Sequence, residues 1–388
     1  MERPSDQEVA SLLMALVGID SVNPSLVTGA AGESRIAEYV TGWLRDVGVH
    51  VELQEVLSSR PNVIARVGGT GHGRSLMLNA HLDTVGAAGM NNPFVPRVEG
   101  DRLYGRGAYD MKAGLAAIML AARSVQRAGG AHGDVIVTAV MDEEYASAGT
   151  EAVLGRYRAD GAIVTEPTGL RLCIAHKGFA WLSVTTQGRA AHGSKPDLGI
   201  DAIAQMGRVL AHLEALGKQL SQGPAHPLLG TGSVHASLIE GGQELSSYPE
   251  RCRLQIERRT IPGETPSSVL EEILAELRKQ SANDQSFRAE AELLFWREPF
   301  EVDRRAPIVQ TVDQAAMAIT GGGPQVYGDT PWMDAALLAS AGIPTVVFGP
   351  GGAGAHAVVE WASISQTATC AAVLAQAAMD YCAGTLVT

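Results

Sequence analysis

The chain has 388 residues, room for two or three domains of about 150 residues each around a substantial core. Thirty Lys and Arg stand against 42 Asp and Glu, and the resulting formal charge of −12 argues against nucleic acid and anionic membranes as partners. A hydrophobic content of 46% with 19% charged residues excludes extensive disorder.

The opening MERPSDQEVASLLMALVGID carries acidic residues where a secretory leader carries lysines, and its apolar positions are interrupted as in an amphipathic helix. The segment 34–47 places Ile36, Val40, Trp43, Leu44 and Val47 on one helical face, with Gly48 where a left-handed cap falls. Short β-rich runs follow at 49–56, 62–67 and 75–79, then a helical stretch over 111–127 closed by Gly129 and Gly130. The runs 134–141 (DVIVTAVM) and 161–165 (GAIVT) have the continuous apolar character of strands buried on both faces, so this part reads as an α/β domain.

Beyond His176-Lys177-Gly178 the pattern changes. Strands are predicted over 180–186, 234–239, 251–259 and 287–296, with helices over 199–216 and 266–278, which together describe an inserted α+β unit over 179–297. The last ninety or so residues return to helix, strand (345–348) and helix, giving a first domain of 1–178 plus 298–388. The apolar stretches fall short of the ~20 residues needed to span a bilayer. Cys173, Cys252, Cys370 and Cys382 form no CxxC pair, so a reducing, cytoplasmic setting is expected.

Five motifs stand at the ends of buried strands or loops, where an open α/β sheet presents its ligand crevice. His81-Leu82-Asp83 allows a carboxylate to hold one ring nitrogen while the other meets a metal. In Gly105-Arg106-Gly107-Ala108-Tyr109-Asp110, Asp110 is a ligand candidate or simply a helix N-cap. Met141-Asp142-Glu143-Glu144 is a row of carboxylates relieved by a cation or a shared proton, or else a solvated acidic turn. Thr165-Glu166-Pro167-Thr168 and the glycine-rich run ending at His356 complete the set; the latter lacks the Gly-Lys-Ser/Thr of a phosphate loop. Two histidines with several carboxylates suit a pair of zinc ions.

In this order, HLDTV, GRGAYDMKAG, MDEE, TEPT, GRAAHGSKP and GPGGAGAH resemble the co-catalytic metallopeptidase and amidohydrolase family that contains acetylornithine deacetylase, succinyl-diaminopimelate desuccinylase and glutamate carboxypeptidase. The resemblance covers nearly the whole chain. It implies a mixed-sheet zinc-peptidase catalytic domain with an inserted ferredoxin-like lid and dimerisation domain. It also implies that His81 and Glu166 hold one zinc, Glu144 and His356 the other, and Asp110 both, with cobalt or manganese as substitutes. Asp83 would orient His81, Glu143 would be the general base, the peptide after Asp110 would be cis, and His192 would supply an oxyanion donor, in relatives across subunits.

Arg259 resembles the family position that clamps a substrate carboxylate, a structural ion pair being the alternative. Two departures stand out: Ser246 replaces an asparagine that binds substrate in some relatives, and Val359 stands where an aspartate often precedes Glu360. The expected activity is cleavage of a small-molecule N-acyl amino acid, with a dipeptidase or carboxypeptidase as the alternative and a non-catalytic binding protein as the reading from another class. A homodimer through the inserted domain is expected, against a monomer in which His192 arrives by domain closure.

Overall fold

The computed structural model describes residues 3–384. The helices are α1 (Asp6–Val17), α2 (Ser34–Asp46), α3 (Ala113–Arg127), α4 (Ala148–Arg156), α5 (Ala202–Ser221), α6 (Pro266–Asn283), α7 (Pro307–Thr320), α8 (Ala335–Ser340) and α9 (Ile364–Ala383). The strands up to the change of pattern are β1 (His50–Leu57), β2 (Arg60–Val67), β3 (Leu76–His81), β4 (Arg97–Glu99), β5 (Arg102–Tyr104), β6 (Val135–Val140), β7 (Gly161–Val164) and β8 (Leu172–His176). They are followed by β9 (Gly178–Gln187), β10 (Ser233–Gly241), β11 (Arg251–Thr260), β12 (Ala289–Arg297) and β13 (Phe300–Glu301). The chain then returns through β14 (Val326–Asp329), β15 (Thr345–Val347), β16 (Gly352–Ala353) and β17 (Trp361–Ser363).

Two compact units result among the described residues, one of 3–174, 302–327 and 333–384, the other of 175–301 with 328–332. In the first, the main sheet runs β1-β2-β6-β3-β7-β15-β8. Its centre, β6-β3-β7-β15, is parallel, and β1 and β2 extend it antiparallel. Every residue of β3, β6 and β7 is buried, which accounts for their unbroken apolar sequences. The alanine-rich α3 and α9 bury most of their length, since small side chains let neighbouring backbones approach closely. A second, small sheet of order β16-β17-β5-β4 has strands of only two or three residues, too short for periodicity to signal.

The second unit is a four-stranded antiparallel sheet of order β10-β11-β9-β12 with α5 and α6. Alternate residues of β11, Cys252, Leu254 and Ile256, join Ala180, Leu182 and Val184 of β9 in one core against Met206, Val209, Ile273 and Leu277 of the helices. Helices α5 and α6 run about five residues past their expected ends, because the polar residues that close them continue the helix rather than cap it. Among the described residues, no helix is long and apolar enough to cross a membrane.

Candidate metal centre

Because β6, β3, β7 and β15 are parallel, their carboxyl ends share one edge of the sheet, and the loops leaving them bring distant sequence together. His81 closes β3, Glu143 and Glu144 follow β6, Glu166 follows β7, and the glycine run ending at His356 follows β15. Asp110 stands in a single π-type turn over Ala108–Lys112, preceded by Gly107 at φ 77° and followed by a cis peptide to Met111. A Cβ on Gly107 would lie 2.5 Å from Cγ2 of Thr84, so both the space and the left-handed backbone require glycine there.

The ligand atoms form two overlapping groups, His81, Asp110 and Glu166 in one and Asp110, Glu144 and His356 in the other, each set lying within 4.8 Å. The two oxygens of Asp110 divide between them. Its Oδ1 is 3.2 Å from His81 Nε2 and its Oδ2 is 3.3 Å from His356 Nε2. Glu166 Oε1 stands 3.7 Å from His81 Nε2, and Glu144 Oε2 stands 3.0 Å from His356 Nε2. His81 is 1% exposed, whereas the His356 side chain is 56% exposed, so one group is sealed and the other opens to solvent. The N-cap alternative for Asp110 fails, since its side chain caps no helix and faces the two histidines instead.

The electrostatics of the cluster are those of a cation site. Burial, followed by repulsion from Glu166, raises the Glu143 carboxyl well above the ordinary range. Burial likewise raises Glu166 well above the ordinary range; the charge of His81 pulls against it, and Asp110 and Glu144 add repulsion. Burial would also raise Asp110, but hydrogen bonds from His356 and His81 pull it below its usual value. Those contacts with Asp110 and Glu144 lift His356 to about 10. Oε1 of Glu144 is buried with no hydrogen-bond partner among the described residues. The set of N and O donors, crowded carboxylates and one orphaned buried oxygen fits a pair of divalent cations held by His81 and Glu166, by Glu144 and His356, and by Asp110 between them. Glu143 lies beside them and joins neither group.

Asp83 departs from the expected arrangement. Its carboxylate is 3.7 Å from His81 Nδ1, while its backbone carbonyl accepts from that nitrogen at 2.9 Å. The strand ends at His81, so the two-residue period that would bring the side chains together no longer applies. The Asp83 carboxylate instead accepts from the backbone N–H of Glu143 (3.1 Å) and Glu144 (3.2 Å) and from Asn23 Nδ2 (2.8 Å), and burial raises it to about 7. It therefore orders the turn that presents those two glutamates.

A buried network that sequence reasoning missed lies behind this turn. Arg60 donates to both oxygens of Glu33 (2.7 and 2.6 Å), to Asp142 (3.0 Å), to the Asn23 side-chain oxygen (3.0 Å) and to Ser25 (2.9 Å). Asp142, at φ 69°, thus turns away from the histidines and is neutralised by an arginine rather than by a cation at the centre. The only sequence signal is Asn23-Pro24, a turn dipeptide, and nothing marks Glu33 or Arg60.

The remaining candidates belong to the second unit. His192 is exposed, its Nδ1 2.8 Å from Ser194 Oγ. The segment with Ser246 meets it: Gly193 N–H donates to the Ser246 carbonyl at 2.6 Å, and His192 and Ser247 form an antiparallel bridge. Arg259 lies 3.2 Å from Glu257 and over the Phe179 ring, the geometry of the ion-pair alternative.

A family model described as peptidase family M20/M25/M40 matches residues 77–380. An acetylornithine deacetylase from Myxococcus xanthus is 30% identical, with 90% of this chain and 92% of that protein covered. An N-formyl-4-amino-5-aminomethyl-2-methylpyrimidine deformylase from Bacillus subtilis is 27% identical, with 97% and 95% covered. Among solved structures, an M20 family metallo-carboxypeptidase from Sulfolobus solfataricus superposes with a TM-score of 0.78 at 19% identity, covering 97% of this chain and 100% of that one, so the mixed α/β fold is shared. With the family model covering most of its length, the chain belongs to peptidase family M20/M25/M40 and is an amidohydrolase or metallopeptidase acting on C–N bonds.

Proposed function

We propose that this protein hydrolyses the amide bond of an N-acyl amino acid, in the manner of an acetylornithine deacetylase, with two zinc ions held through the shared carboxylate of Asp110 and with Glu143 as general base. The observation that carries the reading is the division of Asp110 between His81 and His356, two histidines 275 positions apart in sequence. When bound, the metal pair supplies Lewis acidity toward the scissile carbonyl and lowers the pKa of a water. Cobalt or manganese fit the same donors.

The chain's own groups do the rest. Glu143, with its proton affinity raised by burial and by Glu166, takes a proton from the attacking water and returns it to the leaving amine. Asp83 fixes the 143–144 turn through two backbone hydrogen bonds, so the base is positioned before substrate arrives. We assign His192 to the oxyanion and Arg259 to the substrate carboxylate, with Ser246 shaping the acyl preference. The same reading includes a homodimer through the second unit, whose β10 is an edge strand exposed along nearly its whole length. It also includes a reducing cytoplasm, suited to the buried free thiols of Cys252, Cys370 and Cys382.

The coverage of the Bacillus subtilis deformylase favours a second reading, removal of a formyl group from a small amine, by the same machinery. A dipeptidase or carboxypeptidase also keeps that machinery. A panel of N-acetyl, N-formyl and N-succinyl amides with dipeptides tests these readings. Preference for N-acetyl amino acids supports the first, and cleavage of formyl amides or dipeptides alone replaces it.

A further inference from the structure

The geometry points to Glu360 as a positioning residue for Asp110, holding the loop of the shared ligand against the segment that carries His356. This inference rests on the metal-pair reading of the centre and adds to it a residue that touches neither ligand group.

Glu360 is 1% exposed, and its carboxylate accepts four hydrogen bonds. Oε1 takes the backbone N–H of Tyr109 (3.0 Å) and of Asp110 itself (3.1 Å). Oε2 takes the N–H of Gly107 (3.0 Å) and Nη1 of Arg106 (2.6 Å). Arg106 in turn donates through Nη2 to the carbonyl of Ala357 (3.0 Å), and the N–H of Gly105 donates to the Glu360 carbonyl (3.2 Å). Six contacts thus join residues 105–110 to 357–360.

The reason is the shape of the loop. Residues 105–110 include two glycines at positive φ and lead into a single π-type turn, which leaves the N–H groups of Gly107, Tyr109 and Asp110 with no ladder partner. A buried N–H must find an acceptor, and a carboxylate is a strong one. On the other side, β17 pairs with β5 and places Trp361 opposite Tyr104, so the ladder delivers Glu360 directly beneath the loop. The turn back to His356 is equally constrained, since a Cβ on Gly354 would lie 1.9 Å from the carbonyl of Val359. His356 and Asp110, which meet at 3.3 Å, are therefore carried by two segments that Glu360 locks in register. Because the Asp110 N–H is one of the four donors, loss of the clamp moves the main chain of the residue common to both ligand groups.

The test is cobalt titration of the metal-free full-length protein, followed by calorimetry and by the visible absorption of the bound ion. Glu360→Gln keeps the shape but can satisfy the four donors with one oxygen only. It should weaken cobalt binding at both steps by tenfold or more and alter the absorption envelope, within the range known for residues that orient ligands. Glu360→Asp keeps the charge beside Arg106 and shortens the reach; it should show the same direction, and it answers the question if the Gln variant folds poorly. Asp101→Asn is the control for a merely structural role. It replaces one of the two oxygens that accept from Ser363 Oγ and the Ser365 N–H at the far end of the same ladder, and it should lower thermal stability without changing cobalt affinity. Wild-type affinity and spectrum in both Glu360 variants, or equal weakening in Asp101→Asn, overturns the inference. Failure of the wild-type chain to bind cobalt would instead overturn the metal-pair reading itself.

Discussion

Arg60 offers a stringent check on how the centre is held. It is 7% exposed and neutralises Glu33, which is fully buried, and Asp142, which is 2% exposed, while Asn23 links the same group to Asp83. Burial would lower the Arg60 pKa, but the hydrogen bond and charge of Glu33, aided by Asp142, raise it, so the guanidinium stays charged. In Arg60→Met two carboxylates lose the buried cation that pairs with both, and breaking such a pair from one side costs about 3–5 kcal/mol. For a unit of this size each kcal/mol moves Tm by about 2–4 °C, so the variant should melt about 6–20 °C lower by circular dichroism. The double variant Arg60→Met/Glu33→Gln removes one of the stranded charges and should recover part of that loss. A drop of less than about 3 °C in Arg60→Met would refute the reasoning, because it would mean the carboxylates are solvated or protonated rather than paired.

Other outcomes follow from the same geometry. Glu143→Gln should lose roughly 10²–10⁴ in kcat while retaining wild-type metal content, since Glu143 joins neither ligand group; loss of metal would make it a ligand instead. Metal binding to the metal-free protein should release protons at neutral pH, because His356, raised to about 10 by Asp110 and Glu144, is protonated there and must give up its proton to bind. Affinity should therefore rise with pH, about tenfold per unit for each proton displaced, and level off near pH 10; calorimetry in buffers of different ionisation enthalpy measures the release. Gly114→Ala would bring a Cβ within 2.2 Å of the Thr165 carbonyl, next to Glu166, and should cost about 1–3 kcal/mol together with weakened metal binding, read by denaturant unfolding and metal titration.

Much of this site was legible in the sequence because its ligands sit where strand patterns end. The apolar runs before His81, before Met141 and before Thr165 correspond to β3, β6 and β7, and parallel pairing does the rest. The Asp83 carboxylate stands 3.7 Å from His81 Nδ1, and its carbonyl makes the hydrogen bond there, because the strand stops at His81, two residues before Asp83. Glu33 and Arg60 carry no local signal and Asn23 only that of a turn, as their meaning arises only when three separate loops and strands converge on Asp142. The same holds for Glu360, whose partners are backbone N–H groups some 250 positions away and leave no trace in residue type. In the second unit, strand alternation was clear, whereas the contact between the Gly193 N–H and the Ser246 carbonyl depends on loop geometry that periodicity does not reach.

The shared role of Asp110 is the claim on which the rest depends, and elemental analysis after loading with zinc tests it most directly. Wild type should carry about two metal ions per chain, and Asp110→Ala, which removes an oxygen from each ligand group, should fall below one while remaining folded. No bound metal in the wild type, or two ions retained in Asp110→Ala, would contradict the account.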